Sequence, residues 1–453
     1  MKLQEKYEVV IGMEVHAELK TDSKMFCGCK NDPFGAEKPN IYTCPVCLGM
    51  PGGLPVANKK AIAWTLKLGL ATNCSLNKFS KFDRKHYFYP DLAKSYQISQ
   101  YDIPFCYEGY IDTPSGKVGL TRIHLEEDTG KLQHKVINNK KVSLIDFNRG
   151  GVPLVEVVTE PDITSGKQAK EYGKKLRHIL RFLDIANCDM EQGGMRLEAN
   201  ISLRKKGETE LPNYKVEIKN INSFRFLEAA INYEVERQAE ILEQGEVPVQ
   251  ETRGWNAVKS QTFSQRTKES AEDYRYFPDP DLPPFHFSDE YLKEIKDSVP
   301  ELPESIAQRW VKEFDLPLAK AIDFSSVDSE KLLHWLESIL RELHNKKLDL
   351  VLFINDYTNK KIVIPSRAQV KENTNPSEVV KLFEELHSTE TIDEDILNKT
   401  IKEVLTNNTD AVEKYNSGQT QIIGFLMGQV MRTLGKKVDP QVIRKAIQVA
   451  LES

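Results

Sequence analysis

The sequence predicts an α+β protein, with an antiparallel sheet in the first half of the chain and helices in the second half. Three observations lead to this fold class. Several segments of the first half alternate apolar and polar residues with a period of two, two amphipathic segments of helical period follow such strands, and the apolar residues beyond residue 284 keep helical spacing. Helices that cover one face of a sheet leave its other face polar and concave, and we expect a site there.

Three segments show the alternation most clearly. In residues 9–20, 195–204 and 214–219 the apolar side chains fall on one face of each predicted strand. The opposite face carries Glu14, His16 and Glu18 in the first segment, Arg196, Glu198 and Asn200 in the second, and Lys215, Glu217 and Lys219 in the third. An ordinary solvated sheet face alternates in the same way, so no single strand establishes a site.

Two further strands carry acids in apolar or crowded surroundings. Glu156 stands alone as an ionisable residue in the apolar segment 152–158, where a carboxylate needs a cation, a donor or a proton unless it faces water at a sheet edge. Residues 118–131 bring Glu126, Glu127 and Asp128 next to His124, and alternation does not settle which acid faces which way. Carboxylates that recur with His and Arg on strand after strand suit an anionic, Mg²⁺-dependent substrate.

Serine residues mark the starts of the two helices predicted within the first half. One helix follows Ser165 and the other follows Ser223, with Gly245 as a natural stop for the second. Beyond residue 300 the chain is predicted to be helical, and the apolar patches at 348–353 and 362–364 are either short strands or helix ends. We therefore expect a sheet domain over 1–290, a helical linker domain over 291–392 and a helical tail domain over 393–453.

Length and charge limit the possible classes of protein. A chain of 453 residues is long enough for two or three domains. Its net charge of −5 argues against nucleic-acid binding through overall charge, although a local basic surface remains compatible with it. No apolar run approaches the roughly 20 residues that span a bilayer, and the first residues lack the apolar core of a signal peptide. We expect a soluble, cytoplasmic protein with no membrane partner.

Four of the seven cysteines are spaced like metal ligands. Cys27 and Cys29 are separated by one residue, Cys44 and Cys47 by two, and 14 residues lie between the pairs. This spacing predicts a four-thiolate zinc site in a small zinc-ribbon-like insertion over residues 25–50, with a structural role because four thiolates leave no open position. The other three cysteines are isolated, and we expect them to be buried and inert.

Several longer strings are similar to those of one known family, the B subunits of tRNA-dependent amidotransferases. The resemblance covers the first 284 residues almost continuously and about the last 60. It rests on Val10-Ile-Gly-Met-Glu-Val-His16, Pro51-Gly-Gly-Leu-Pro-Val-Ala-Asn58, Lys81-Phe-Asp-Arg-Lys-His-Tyr-Phe-Tyr-Pro90, Ser95-Tyr-Gln-Ile-Ser-Gln100, residues 146–162, Val216-Glu-Ile-Lys-Asn-Ile-Asn-Ser-Phe224, Gln250-Glu-Thr-Arg253, residues 273–284 and Gly424-Phe-Leu-Met-Gly-Gln-Val-Met431.

The resemblance implies a fold, a reaction and partners. The sheet domain would be a cradle resembling the catalytic sheet of glutamine synthetase. ATP would phosphorylate the side-chain carboxylate of Glu-tRNA(Gln) or Asp-tRNA(Asn), and ammonia would then displace the phosphate. The ammonia would come from glutamine through a separate amidase (glutaminase) subunit, and a small third subunit would hold the heterotrimer together. Two other functions remain open: an amidoligase that uses free ammonia, and a non-catalytic zinc-ribbon adaptor that binds RNA.

The resemblance also implies roles for particular residues. Magnesium and catalytic roles fall on Glu14, His16, Glu127 and Glu156, with Glu126 as a close alternative to Glu127. ATP-binding roles fall on Arg196, Asn200, Lys219 and Arg253, although a salt-bridged sheet edge accounts for Lys219 and Arg253 equally well. Glu198 stands where the family has Asp, which leaves its metal role open.

A cluster of basic residues near the C-terminus fits the expected RNA substrate. Residues 415–450 contain one acidic residue, Asp439, and five basic residues, Arg432, Lys436, Lys437, Arg444 and Lys445. Under the resemblance these residues would contact the tRNA backbone. Without it, a solvated helix face explains them. The sequence leaves open whether Glu-tRNA(Gln), Asp-tRNA(Asn) or both are substrates.

Overall fold

A nine-stranded sheet organises the first part of the chain. The computed structural model describes residues 3–267, 274–363, 370–388, 392–436 and 438–452. Its strands are β1 (Tyr7–Glu18), β2 (Ser75–Leu76), β3 (Phe79–Ser80), β4 (Asp83–His86), β5 (Tyr96–Ser99), β6 (Cys106–Thr113), β7 (Gly116–Glu127), β8 (Lys131–Ile137), β9 (Lys140–Asp146), β10 (Pro153–Thr159), β11 (Met195–Lys205), β12 (Val216–Ile221), β13 (Glu251–Asn256), β14 (Gln261–Thr267), β15 (Phe277–Pro278) and β16 (Phe285–His286).

The large sheet has the order β14-β13-β12-β11-β1-β10-β7-β6-β2. Its neighbouring strands are antiparallel except β12 and β13, which are parallel. Short strands form the smaller sheets β15-β4-β5, β16-β3 and β8-β9. The long strands β1, β10, β7 and β11 lie side by side at the centre, so residues far apart in sequence meet across them.

Helices cover one face of the sheet and continue into the second half of the chain. They are α1 (Leu3–Lys6), α2 (Lys59–Ala71), α3 (Gly166–Phe182), α4 (Phe224–Glu243), α5 (Asp289–Asp297), α6 (Pro303–Phe314), α7 (Leu318–Ser325), α8 (Glu330–Asn345), α9 (Leu350–Thr358), α10 (Pro376–His387), α11 (Glu394–Asn407), α12 (Thr409–Asn416), α13 (Ile423–Leu434) and α14 (Pro440–Glu452), with a 3₁₀ turn at Thr420–Ile422.

Serine caps fix where the two predicted helices of the first half begin. The Ser165 side chain accepts a hydrogen bond from the backbone of Gln168, and the Ser223 side chain accepts one from Phe226. Such bonds satisfy amides that have no partner inside a helix. Gly245, with φ +81°, follows the second helix in the left-handed region that glycine tolerates. Both predicted starts are confirmed.

The apolar faces of the central strands and the helices behind them form one core. Met13, Val15 and Ala17 of β1 are almost fully buried and belong to this core, which also contains Leu176 of α3 and Ile231 of α4. The intervening residues of β1 are only partly buried. The alternation read from the sequence therefore gives the correct core face, and the α+β class is confirmed.

The chain divides into two compact units. One comprises Met1–Trp310 with Ala321–Leu333, and the other comprises Val311–Lys320 with His334–Ser453. Within the second unit, α11, α13 and α14 share a small core that contains Ile401, Leu426 and Ile443. The three-domain division and the likeness to glutamine synthetase stay predictions.

The apolar patch at 348–353, which the sequence leaves open between strand and helix, belongs to helix α9. Asp349 caps that helix by accepting a hydrogen bond from Leu352. The second patch extends to Ile364, which lies outside the described residues. None of the helices among the described residues has the length and apolarity needed to cross a membrane.

One buried carboxylate ties α4 to the edge of the large sheet. Glu234 is fully buried and accepts hydrogen bonds from Arg237 at 2.6 Å, from Gln238 at 3.1 Å and from Thr262 of β14 at 3.0 Å. The Arg253 side chain lies 3.4 Å from its second oxygen. Removing Glu234 would leave Gln238 and Thr262 without this acceptor, and Glu251 would be the remaining carboxylate beside Arg237 and Arg253.

We predict that Glu234→Ala lowers the free energy of unfolding by about 3 kcal/mol or more, the cost of breaking a buried ion pair from one side. Urea unfolding followed by circular dichroism measures this. Glu240→Ala, at an exposed position of the same helix, is the matched control and should change the value by no more than about 0.5 kcal/mol. Equal midpoints for the two variants would contradict the role given to Glu234.

Candidate functional site

The polar face of the central strands carries two groups of carboxylates. The antiparallel register sets His16 of β1 opposite Glu156 of β10, and Glu156 opposite His124 of β7. On the other side of β1, Glu14 lies opposite Glu198 of β11. Because residues two apart on a strand share a face, this register gathers acids from four strands onto one surface.

The first group consists of His16, Glu126 and Glu156, whose ligand atoms lie within 4.8 Å of one another. His16 Nε2 is 3.3 Å from Glu156 and 3.9 Å from Glu126. His124 Nε2 is 3.1 Å from Glu156 and 3.8 Å from Glu126. Ser99 donates a hydrogen bond to Glu126 at 2.9 Å.

Charge balance keeps this group in its ionised form. Burial opposes a positive charge on His16, but the attraction and hydrogen bond of Glu156, together with Glu198 and Glu126, outweigh burial and raise the pKa of His16 to about 9. The pKa of His124 is raised for the same reason. Burial opposes the charge of Glu156 as well, yet His124 and His16 hold its pKa well below the usual value. The acids are thus held as carboxylates, the form in which they coordinate a divalent cation.

The second group consists of Glu14, Glu198 and Glu217, again within 4.8 Å of one another. Asn200 donates to Glu14 at 3.0 Å, and Lys219 lies 3.0 Å from Glu198 and 3.3 Å from Glu217. Burial raises the pKa of Glu14, and the neighbouring carboxylates raise it further. Acids that crowd together in this way form a site that a cation would stabilise.

Glu127 lies apart from both groups, although the family resemblance pairs it with Glu14, His16 and Glu156. Adjacent residues of a strand point to opposite faces, and β7 places Glu126 beside His124. Glu127 accepts a hydrogen bond from the Ile98 amide at 3.0 Å and pairs with Lys94 at 2.5 Å. It lines a cavity of about 110 Å³ together with Cys27. The structure places Glu126, the close alternative, beside His16 and Glu156, and it places Glu127 elsewhere.

The four residues expected to bind ATP occupy different environments. Asn200 and Lys219 belong to the second carboxylate group, as described above. Arg196 lies opposite His16 in register and pairs with Asp128 at 2.9 Å. Arg253 is opposite Ile218 of the buried face and is bonded to Glu251 at 2.6 Å. The Arg253 side chain forms ion pairs with Glu234 and Glu251 on the helix-covered face, away from both carboxylate groups.

A carboxyl pair sits next to Arg196. Burial raises the pKa of Glu18 to about 8, and the neighbouring Asp128 raises it as well. Burial opposes the charge of Asp128, but Arg196 and Arg149 lower its pKa to about 2. Glu18 therefore carries the proton at neutral pH while Asp128 stays ionised between the two arginines.

Two residues of this surface were not assigned from the sequence. Glu217 completes the second group, and its position on the polar face of the 214–219 strand was the available signal. Lys85 of β4 is half-buried, and burial opposes its charge, but Glu126 and Glu156 raise its pKa. Its signal was weaker, since it lies on a four-residue strand in the string 81–90, where alternation gives no clear face.

The four predicted zinc ligands are brought together. One sulfur from each of Cys27, Cys29, Cys44 and Cys47 lies within 4.8 Å of the others. The Cys44 amide donates to the Cys47 sulfur at 3.1 Å. A bond from the Cys27 thiol lowers the pKa of Cys47 to about 5, and the buried Lys24 contributes. The segment between residues 25 and 50 consists of turns and bends apart from a single bridge residue.

The basic tail residues are exposed where they are described. Arg432 lies in α13, Arg444 and Lys445 lie in α14, and Lys436 lies between these helices. Lys437 lies outside the described residues. The side chains of the described four are solvent-accessible, which an RNA contact requires.

Comparisons with known proteins give consistent matches over nearly the whole chain. Residues 9–293 match the family model described as the GatB/GatE catalytic domain, and residues 354–451 match the one described as the GatB domain. Curated proteins named as the B subunit of aspartyl/glutamyl-tRNA(Asn/Gln) amidotransferase are similar at full length. The identity is 42% to that of Caldicellulosiruptor saccharolyticus, over 98% of this chain and 99% of that protein. It is 43% to that of Thermodesulfovibrio yellowstonii, over 97% and 98%, and 43% to that of Persephonella marina, over 98% and 100%.

We predict that the protein, purified under reducing conditions without chelator, contains about one zinc ion per chain bound by the four thiolates. Metal analysis by mass spectrometry measures it. Cys44→Ser should lose most of the metal, whereas Cys74→Ser should retain it, because Cys74 is buried elsewhere in the core. Zinc-free parent protein prepared in this way would refute the site.

Proposed function

The chain belongs to the GatB/GatE family, and from that premise we propose that it is the subunit of a tRNA-dependent amidotransferase that activates a carboxylate attached to tRNA. The substrate would be the side chain of Glu-tRNA(Gln), Asp-tRNA(Asn) or both. The observation that carries the proposal is the pair of carboxylate groups on neighbouring strands of one polar face. A reaction of ATP with a carboxylate brings several negative charges together, and this surface has the composition to offset them through cations.

The residues present fit two divalent cations. His16, Glu126 and Glu156 offer one nitrogen and two carboxylates, and Glu14, Glu198 and Glu217 offer three carboxylates. Buried polar atoms without a hydrogen-bond partner among the described residues, such as His16 Nδ1 and Asn200 Oδ1, also suit a polar ligand. We propose that these six residues hold Mg²⁺, which when bound neutralises phosphate oxygens.

A cavity beside the second group supports a place for the nucleotide. It has a volume of about 390 Å³, and Glu14 and Asn200 are among the residues that line it. Part of its wall is apolar, formed by Val10, Pro161 and Leu211. We propose that the base of ATP occupies this cavity, so that its phosphates extend toward the carboxylate groups. Lys219 then stands beside the phosphates and Lys85 beside the acceptor carboxylate.

The proposed reaction has two steps. A side-chain carboxylate oxygen attacks the γ-phosphorus of ATP, the bond to the bridging oxygen breaks, and ADP leaves. Ammonia then attacks the carbonyl carbon of the acyl phosphate, the carbon–oxygen bond to phosphate breaks, and the nitrogen loses a proton to give the amide. Both steps depend mainly on positioning and charge neutralisation, which His124, Lys85 and Lys219 supply in part.

We propose that the ammonia comes from a glutaminase partner, because the relatives that this chain matches at full length are named as the B subunit of an amidotransferase. The partners would be this amidase and a small third subunit. The four-cysteine site would be structural, because a closed set of four thiolates has no position for a substrate. An amidoligase that uses free ammonia is the alternative, and activity of this chain alone with ammonium would support it.

We predict that Glu156→Gln lowers ATP-dependent amidation by the assembled enzyme about 10²-fold or more, since a charge that offsets the phosphates is removed. Gln keeps the shape of the side chain, so folding and tRNA binding should persist, and glutamine hydrolysis by the glutaminase partner should continue. Single-turnover formation of the amide measures the loss.

Glu160→Gln is the matched control for this experiment, because Glu160 is exposed and lies four residues further along the chain. It should retain nearly full activity. Near-normal amidation by Glu156→Gln would mean that the polar face is structural and that the active site lies elsewhere.

We predict that replacing Arg432, Arg444 and Lys445 by Ala weakens tRNA binding by the assembled enzyme about tenfold at physiological salt, since three phosphate contacts are removed. Replacing Lys399, Lys402 and Lys414, which are exposed residues of the same tail, is the charge-matched control. A filter-binding assay measures both. Equal affinities for the two variants would show that the basic residues form only a solvated helix face.

A further inference from the structure

A two-stranded ribbon, formed by β8 and β9, connects β7 and β10, two strands that carry residues of the candidate site. β8 and β9 pair with each other through seven residue pairs, from Lys131 opposite Asp146 to Ile137 opposite Lys140. They pair with no other strand in the described part of the chain. Most side chains of the ribbon are exposed, including Val136 and the turn residues Asn138 and Asn139. An isolated ribbon of this kind contributes little to a core, so its exposure requires another explanation.

The ribbon is strongly basic in a chain whose net charge is −5. It carries Lys131, Lys135, Lys140 and Lys141 against one acid, Asp146. None of these lysines forms an ion pair with a described residue, in contrast to Lys219 at the candidate site. The Asp146 carboxylate lies at the base of the ribbon, where it accepts hydrogen bonds from the backbone amides of Asn40 and Asn148.

The register arranges three of the lysines along one face. Lys135 is opposite Val142 and Lys140 is opposite Ile137, and paired residues of an antiparallel ribbon share a face. Lys131 belongs to this face as well, four residues from Lys135 and therefore about 13 Å away. A strand of this length extends about 23 Å. The ribbon is thus a row of separated positive charges rather than one compact basic patch.

The base of the ribbon is attached to the candidate site. Arg149 donates to the backbone oxygens of Thr129 and Gly130, at 3.0 and 2.8 Å. Asp128, just before the ribbon, pairs with Arg196, and Arg196 lies opposite His16. The ribbon therefore begins beside the polar face on which the aminoacyl group would react.

We propose that the β8–β9 ribbon is an arm that contacts the phosphate backbone of the tRNA near its aminoacylated end. The inference rests on the proposed function and deepens it, because it assigns a second RNA-contacting surface next to the reacting carboxylate. Lysines act as point charges that suit phosphates and carry no base information. In paired RNA the backbone is the accessible part, because the major groove is too narrow for side chains to read.

A protein partner fits the ribbon less well. Lysine is depleted from the centres of protein–protein interfaces, which need a contiguous apolar core. Ile137, Val142 and Leu144 share one face, but Lys140 is paired with Ile137 and Lys135 with Val142. The lysines therefore interrupt the apolar residues of this face.

The test replaces Lys135, Lys140 and Lys141 together by Glu in the assembled amidotransferase. tRNA binding is measured at several salt concentrations, and amidation is measured at varied tRNA concentration. We expect affinity to fall about tenfold or more and the slope of log affinity against log salt to become shallower by about 2, since each lost phosphate contact contributes about 0.7 to 0.9. The KM for tRNA should rise while kcat stays nearly unchanged, because these lysines lie away from the reacting atoms.

The charge-matched control replaces Lys205, Lys206 and Lys259, which are exposed. The first two follow the end of β11 that is remote from Arg196. Replacement of the three ribbon lysines by Gln, which adds no negative charge, should give a smaller loss of the same kind. Circular dichroism and zinc content check that the variants fold.

Three outcomes would overturn the proposal. Equal tRNA affinity and equal salt slope for ribbon and control variants would remove the ribbon from RNA contact. Failure of the ribbon variant to assemble with the other subunits would identify a protein interface instead. A fall in kcat without a change in KM would place the lysines in catalysis. An absence of tRNA-dependent amidation in the parent complex would refute the proposed function itself. This result differs from a failure of the ribbon proposal, because it is obtained with the unsubstituted protein.

Discussion

The arrangement of this protein depends on holding many carboxylates on one face of a sheet without mutual repulsion driving them apart. The opposite face is fixed by the core, so the acids of β1, β10, β7 and β11 cannot turn away from one another. Cations interleaved among them, namely His16, His124, Lys85 and Lys219, make this tolerable. The second group sets Glu14, Glu198 and Glu217 against Lys219, so it retains more negative charge than this lysine cancels, which gives that part of the surface its affinity for metal and for the charges that a metal brings.

Period-two alternation was sufficient to predict the core face and most of the polar face. Glu14 and His16 lie where the alternation puts them, because both sit within the long, regular strand β1, whereas Glu156 was marked by being the one ionisable residue of an apolar segment. The choice between Glu126 and Glu127 required the position of a neighbouring strand, since a shift of one residue exchanges the two faces. Glu127 is held by Ile98 and Lys94 of a different part of the chain, and no local pattern reports such a contact.

Two other assignments show the same limit. Glu217 joins Glu14 and Glu198 only because β12 lies next to β11, and strand order is not encoded in the alternation of a single strand. Arg253 was expected near ATP, but parallel pairing of β13 with β12 aligns it with the buried Ile218 and directs it to Glu234. The sequence predicts which faces are polar, whereas the topology decides which polar residues meet.

The four-cysteine segment also constrains the chain around it. Lys24, fully buried, lies 3.9 Å from the Cys47 sulfur and donates to the Phe147 carbonyl at 3.0 Å, and Asn40 bonds to Asp146. A metal ion bound by the four thiolates would close a loop of ~20 residues from Cys27 to Cys47 and would remove conformational entropy worth roughly 3 kcal/mol from the unfolded chain. That loop and the base of the β8–β9 ribbon share these hydrogen bonds, so the bound metal would restrict the motion of both segments. Metal bound more than 80 residues before the ribbon in sequence would thereby limit the angles at which the ribbon can leave the sheet.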